Sequence, residues 1–484
     1  MTNIPHLSIP ARFRIHRAGR WTLVLALLVA SPIPSSLGHA HTAGASTAAG
    51  PRVLTGSIDG AAYKIEVPAP WNGTLVLYSH AMVFPGQPNP ATDVGDPRTG
   101  RWLLAHGYAL AGSSFSRIGW AVAQAFHDQI ALLDLFARRV GPPQRTIAWG
   151  HSIGGLITAG LVQKFPRRFS GALPMCGLLS GAVAFNNQSL DSTFVFKTLV
   201  APTSRLQLVH ISNQDANSKL TARLLAAAQR TPQGRARLAL AAAVADIPGW
   251  FDPASREPSS QDVAAQEHNQ FLYENLDFGG DAELEQRAGG NPSWNTGVNY
   301  QDLLAHSTDQ AEVQVLYRQA GLSLAQDLRT LQRAPRIAAD PRAVRYVRQN
   351  IIFNGRIQVP ILTLHTTGDG IVPVQNEQAY ASVVAAAGHG GLLRQIFVHR
   401  AFHCSFTPAE TIAAFQVLIQ RMDTGQWADT ANARALNRAA AALGAHLNVD
   451  ALLFNPKGTI PTAPAFVPFQ PSPFLRPFDA RSGQ

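Results

Sequence analysis

The sequence predicts an α/β fold: a mostly parallel, eight-stranded sheet with helices on both faces and a helical cap inserted into it. Three observations carry this. Short β-rich runs alternate with helical stretches in two blocks, the pattern of a parallel sheet with crossover helices. A long, strand-poor stretch of different composition separates the blocks. One strand-like run also leads through a glycine-rich turn straight into an apolar helix.

Arg12, Arg14, Arg17 and Arg20 precede a short apolar run, Thr22–Ala30, and small residues then lead to Gly38-His39-Ala40. That order reads as an export signal over residues 1–40. The apolar run falls short of the roughly 18 residues of a membrane span, which leaves an uncleaved anchor as the alternative. No adjacent arginine pair precedes it, so the general secretory route is expected. Residues 41–50 read as a flexible leader.

The first part of the core, residues 41–177, offers strands at Arg52–Ile58, Ala62–Val67, Gly73–Ser79, Tyr108–Phe115, Arg145–Gly150 and Gly171–Cys176. Helices are expected at Ala121–Arg139 and Gly155–Phe165. Residues 178–358 form the predicted cap, rich in Ala, Leu, Gln and Arg at helical spacing, as in Leu220–Gln229 and Arg235–Val244. Pro248-Gly249-Trp250 and Gly289-Gly290-Asn291-Pro292 punctuate it. The second part, residues 359–425, adds strands Val359–Thr366 and Arg394–Arg400, for eight in all. Residues 426–484 carry a helix-like run, Ala428–Leu443, and a Pro/Phe-rich tail, Pro456–Asp479. The tail's phenylalanines favour an extended segment strapped across the core over disorder.

Composition narrows the function classes. The 484 residues are 46% apolar and 14% charged, which is globular rather than disordered. The formal charge is +10, and losing residues 1–40 would remove four arginines and no acid, leaving about +6. The remaining basic residues are scattered without interleaved aromatics, so a nucleic-acid footprint is not expected. The two cysteines, Cys176 and Cys404, form no CxxC pair. With no phosphate loop, metal-ligand cluster or nucleotide motif, no cofactor is expected.

The chemistry centres on Gly150-His151-Ser152-Ile153-Gly154-Gly155, a G-x-S-x-G pattern that ends a strand and opens a helix. Such a turn presents a serine hydroxyl above the sheet edge, with glycines where side chains would clash. The Ile153 N–H, at the helix start, is then placed to stabilise an oxyanion. A serine needs a base, and the base needs an orienting acid. Asp369 lies in the turn after VPILTLHT, at the strand end where catalytic groups of open α/β sheets collect. Glu377 is its rival, on the following helix. His403 follows RQIFVHR and can reach back to Ser152; its rival His399 falls inside the strand. His365 reads as a core or edge histidine, and His80 and His151 as structural neighbours of the site. A second oxyanion donor is expected from the backbone of Ala81 or Met82, after the third strand.

On LYSHA, GYALAGSSFS, WGHSIGG, TTGDGIVP and FHCSFTPAE, in that order, the chain resembles the α/β-hydrolase superfamily, in its secreted bacterial esterase and peptidase type. The resemblance covers about residues 60–180 and 355–420. It implies acyl transfer to water through an acyl-enzyme on Ser152, with His403 as base and acid and Asp369 orienting it. A narrower resemblance is to tannase- and feruloyl-esterase-like enzymes, in which a cysteine after the histidine is bonded to one before the serine. Cys404 follows His403, but His151 precedes Ser152. Cys176, which ends the strand after the serine's helix, is therefore the expected partner of Cys404, with two separate buried thiols as the alternative.

The resulting expectation is an exported serine hydrolase of carboxylic esters acting on a small-molecule substrate. A serine exopeptidase is the alternative, for which Asp246, Glu267, Glu274 and Asp277 are candidate amine-holding acids. A hydrolase-fold binding protein is the reading from another class. Phe185, Phe194, Phe196, Trp250, Phe251 and Trp294 are candidates for a pocket or for the cap's own core.

Overall fold

Eight strands form near the expected runs: β1 (Arg52–Ile58), β2 (Ala61–Val67), β3 (Thr74–Ser79), β4 (Ala109–Ser113), β5 (Arg145–His151), β6 (Gly171–Met175), β7 (Ile361–Gly368) and β8 (Leu393–Ala401). The computed structural model describes residues 50–278, 280–451 and 459–478. The export-signal reading of residues 1–40 lies outside the described residues, as does the side chain of Asp277.

The sheet runs β1-β2-β4-β3-β5-β6-β7-β8, and its six strands from β4 to β8 are parallel. β1 and β2 pair antiparallel at one edge. The central strands β3 and β6 are buried throughout, which explains their unbroken apolar runs. This is the α/β-hydrolase fold.

The strand count needs correction: the sheet has nine strands, not eight. The ninth, β11 (Phe466–Val467), comes from the Pro/Phe-rich tail and pairs antiparallel with β8. β8 would otherwise leave its outer ladder groups unpaired, and the tail covers that edge. Phe466 and Phe474 are buried as it passes. Short strands β9 (Val449–Ala451) and β10 (Thr459–Pro461) form a separate ribbon.

Helices α1 (Pro97–Ala105), α2 (Val122–Arg139) and α3 (Ile153–Lys164) belong to the first part. Between β6 and β7 the described residues carry nine helices and no strand. They are α4 (Ala182–Leu199), α5 (Gln214–Ala228), α6 (Pro232–Ala243), α7 (Val263–Asp277), α8 (Ala282–Ala288), α9 (Tyr300–His306), α10 (Gln310–Gln319), α11 (Leu324–Arg333) and α12 (Pro341–Asn350). Local chemistry starts them: Asn213, Thr231, Asp262, Asp281, Asn299 and Ser323 each accept from a backbone N–H of the first turn. Phe194 and Phe196 are buried in the cap's own core. Phe185 and Trp294 pack against the sheet domain's core.

Helices α13 (Gln375–Ala386), α14 (Pro408–Thr424) and α15 (Ala433–Ala442) complete the chain. α14 carries a capping box, Thr407 with Glu410, and Glu410 is also the buried partner of Arg400. Among the described residues no helix is long and apolar enough to cross a membrane.

Candidate active site

β5 delivers the chain to Ser152 and α3 starts at the next residue, so the serine sits at the hinge between strand and helix. Its φ of 58° lies in the left-handed region, a strained conformation for a residue with a side chain. The surrounding glycines are required by close packing. A Cβ on Gly154 would lie 2.1 Å from the Ser79 carbonyl oxygen, and one on Gly150 would lie 2.4 Å from that of Gly154. Phe115, Cys176, Phe402 and Cys404 also have positive φ, as do Asp59, His210 and Asp246.

Asp369 follows β7 and is fully buried. Its Oδ1 accepts from the N–H groups of Ile371 (3.0 Å) and Val372 (2.8 Å), which locks the carboxylate. Oδ2 accepts from Nδ1 of His403 at 2.7 Å. Burial alone would raise the Asp369 pKa. The charge of His403 and hydrogen bonds from His365 and His403 outweigh it, holding the carboxyl below the usual range. His403 lies just past β8, with Nε2 buried and unpartnered among the described residues. With Nδ1–H donated to Asp369, Nε2 is the ring nitrogen left to exchange a proton. The link to Ser152 is short. The Ser152 N–H donates to Met175 O at 3.0 Å, and the adjoining Cys176 is bonded to Cys404, the neighbour of His403.

Ala81, Met82 and Ile153 line one narrow cleft, together with His80, Phe115 and Arg117. The cleft therefore gathers the two loops expected to supply oxyanion donors. His80 donates from Nδ1 to Ala81 O at 2.6 Å and stacks on Phe115 with centroids 4.1 Å apart. Burial lowers the His80 pKa and favours its neutral ring.

The chain is 30% identical over 408 residues to an o-phthalyl amidase from Xanthobacter agilis, covering 77% of this chain and 87% of that protein. The chain belongs to the o-phthalyl amidase family. No family model matches it. Among solved structures it is similar to feruloyl esterase B from Aspergillus oryzae, at 15% identity and TM-score 0.36, over 78% of this chain and 81% of that one. It is also similar to a serine hydrolase from the polyaromatic-hydrocarbon-degrading bacterium Cycloclasticus zankles, at 13% identity and TM-score 0.34, over 78% and 99%. An acylaminoacyl peptidase matches at 11% identity and TM-score 0.36 over 77% of this chain, which spans only 41% of that peptidase.

In this member of the amidase family the rival residues are drawn elsewhere. His399 pairs with Glu257 at 3.4 Å and lies against Trp250, away from Asp369. Glu377, on α13, is fully buried against His365 and Thr363. His151 turns to the Tyr78 hydroxyl at 3.3 Å, and burial, with the nearby His403 charge, pushes its pKa down to about 3. Tyr273, on cap helix α7, was not legible in the sequence. Its hydroxyl donates to Gly368 O at 2.7 Å and accepts from Phe402 N–H at 3.0 Å, tying together the turns that carry Asp369 and His403. A tyrosine within an amphipathic helix leaves no signal of such a task.

Cys176 and Cys404 are disulfide-bonded across a sequence separation of 228. Their sulfurs lie within 4.8 Å of a His403 ring nitrogen, and being bonded to each other they offer no thiolate to a metal. The loop-entropy relation gives about 5 kcal/mol as the upper scale of stabilisation for a loop this long. Reduction is expected to lower the melting temperature and the hydrolytic rate together, because it frees the loop holding His403. Scanning calorimetry and turnover with and without dithiothreitol check this. Unchanged values after complete reduction would contradict it.

Proposed function

We propose that this amidase-family chain is a serine hydrolase that cleaves an acyl bond through an acyl-enzyme on Ser152. The observation that carries the reading is the 2.7 Å His403–Asp369 hydrogen bond, with the other ring nitrogen buried and unpartnered among the described residues. His403 Nε2 takes the Ser152 proton as Oγ bonds the substrate's carbonyl carbon. The carbonyl oxygen gains the charge and is held by N–H groups of Ile153 and of Ala81 or Met82. His403 then gives its proton to the departing nitrogen or oxygen. Water repeats the cycle and releases the acid, returning the proton to Ser152.

The o-phthalyl amidase relative directs the substrate class toward amides of an aromatic acid. Arg117, exposed beside the Ala81–Ile153 cleft, is the cation there for a carboxylate on the ring. Carboxylic esters use the same chemistry with a better leaving group. The disulfide and the basic-apolar leader support action outside the cytoplasm.

The test compares an N-phthalyl amino acid, its N-benzoyl analogue and p-nitrophenyl acetate, with fluorophosphonate labelling of Ser152. Labelling with turnover of the phthalyl amide well above the benzoyl one is expected. Labelling with turnover of esters alone would restrict the enzyme to esters. Neither labelling nor turnover would overturn the serine-hydrolase reading.

A further inference from the structure

Behind Asp369 lies a second histidine that the reaction cycle does not use. His365 projects from β7 and is fully buried. Both of its ring nitrogens meet acceptors. Nε2 lies 2.8 Å from Val372 O and 3.5 Å from Asp369 Oδ2, while Nδ1 lies 3.1 Å from Glu377 Oε1. A carbonyl only accepts, so Nε2 carries a proton. The Glu377 carboxylate also receives the Thr363 hydroxyl and the Gln395 amide, so donors surround it, and Nδ1–H completes the set.

We propose that His365 is a permanent imidazolium that positions Asp369, its charge cancelling that of Glu377 so that the orienting carboxylate stays ionised. This rests on the reading of Asp369 as the acid that orients His403. Burial opposes charge on the ring, but hydrogen bonds and charges from Asp369 and Glu377 overcome it and take the His365 pKa up to about 10. The other groups facing this cluster do not alter the charge count near neutrality. Tyr380, from α13, and Tyr273, from α7, are both pushed upward by burial and stay neutral. His403 meets the same Asp369 oxygen, Oδ2, at 2.7 Å.

The charge count makes the proposal testable. With His365 protonated, His365, Asp369 and Glu377 together carry one negative charge. His365→Gln leaves two carboxylates enclosed without the cation, so one of them takes up a proton and Asp369 loses its hold on His403. Removing Glu377 as well restores one negative charge. His365→Gln is therefore expected to lower kcat by roughly 10²–10³-fold and to move the acid limb of kcat/KM upward by about one pH unit or more. His365→Gln with Glu377→Gln is expected to recover to within roughly tenfold of wild type, with the limb returning. A purely packing role predicts the reverse, since the double variant loses more contacts. A double variant no more active than the single one overturns the proposal.

Nitrogen-15 NMR of the wild-type protein gives a readout independent of whether the variants fold. Both His365 nitrogens should show protonated shifts and directly bonded protons at pH 8. A neutral single tautomer at pH 7 overturns the proposal even if Ser152 labels normally. Failure of Ser152 to label removes the triad reading while leaving the imidazolium result to stand or fall by itself.

Discussion

Ser152→Ala is expected to reduce kcat by about 10⁴–10⁶-fold on a phthalyl amide while KM changes little. The size follows from what the alanine removes. Without Oγ no acyl-enzyme forms, and His403 can only activate water that the site does not position. The N–H groups of Ile153, Ala81 and Met82 remain, so residual turnover above the uncatalysed rate is expected. Because Ser152 sits at φ 58°, alanine inherits the same backbone strain, and the fold should tolerate it. Single-turnover kinetics on both proteins, with circular dichroism to show equal folding, measure this. A folded alanine variant retaining more than about a tenth of the wild-type kcat would mean that Ser152 is not the nucleophile.

Raising the pH from 5 to 9 is expected to destabilise the protein by several kcal/mol, through the cap. Glu267, Gln270 and Glu274 share one face of α7, and Glu312 comes from α10. Asp246 and Asp309 follow and precede neighbouring helices. Oxygen atoms of all six lie buried without partners among the described residues. Burial raises every one of the carboxyls: Asp309 to about 6, Glu267 to about 7, Glu312 to about 9, and Asp246 and Glu274 well upward. The sign follows from linkage. Above the unfolded pKa near 4, the folded state holds protons that the unfolded chain has released, so stability falls as pH rises through the folded values. Glu312 alone, shifted from 4.5 to about 9, corresponds to at most about 6 kcal/mol. His365, raised to about 10, adds to the fall above its unfolded value, whereas His151, lowered to about 3, opposes it up to its unfolded value, and Asp369 opposes it only in acid. Calorimetry from pH 5 to 9 should show a falling melting temperature, and Glu312→Gln should flatten the slope. A rising or level curve in wild type would contradict the protonated cluster.

The same cluster answers one expectation from the sequence. Asp246, Glu267 and Glu274 were candidates to hold a substrate's amino group; they are instead buried, on or beside the helices that pack into the cap. Trp250 and Tyr273 likewise serve the joint between the cap and the turns that carry Asp369 and His403, where Tyr273 donates to Gly368. None of the six aromatic residues weighed as pocket lining borders the Ala81–Ile153 cleft.

What the sequence determined by itself is what local chemistry enforces. The buried central strands are apolar because both faces are covered. The turn around Ser152 is glycine-rich because any Cβ would strike the Ser79 or Gly154 carbonyl. Asp369 and His403, which meet in the fold, stood out because each lies just past a strand's C-terminal end. The tertiary structure alone decided what depends on distant segments meeting. A two-residue strand 466–467 closes the sheet edge, and its brevity hid it among prolines and phenylalanines. His365 and Glu377 read separately as a core histidine and a helix glutamate, and only burial in one low-dielectric space turns them into a coupled pair behind Asp369. Sequence pattern records periodicity and turns along the chain. Charge coupling falls off with distance in space, and that distance is set only when the strands and helices pack.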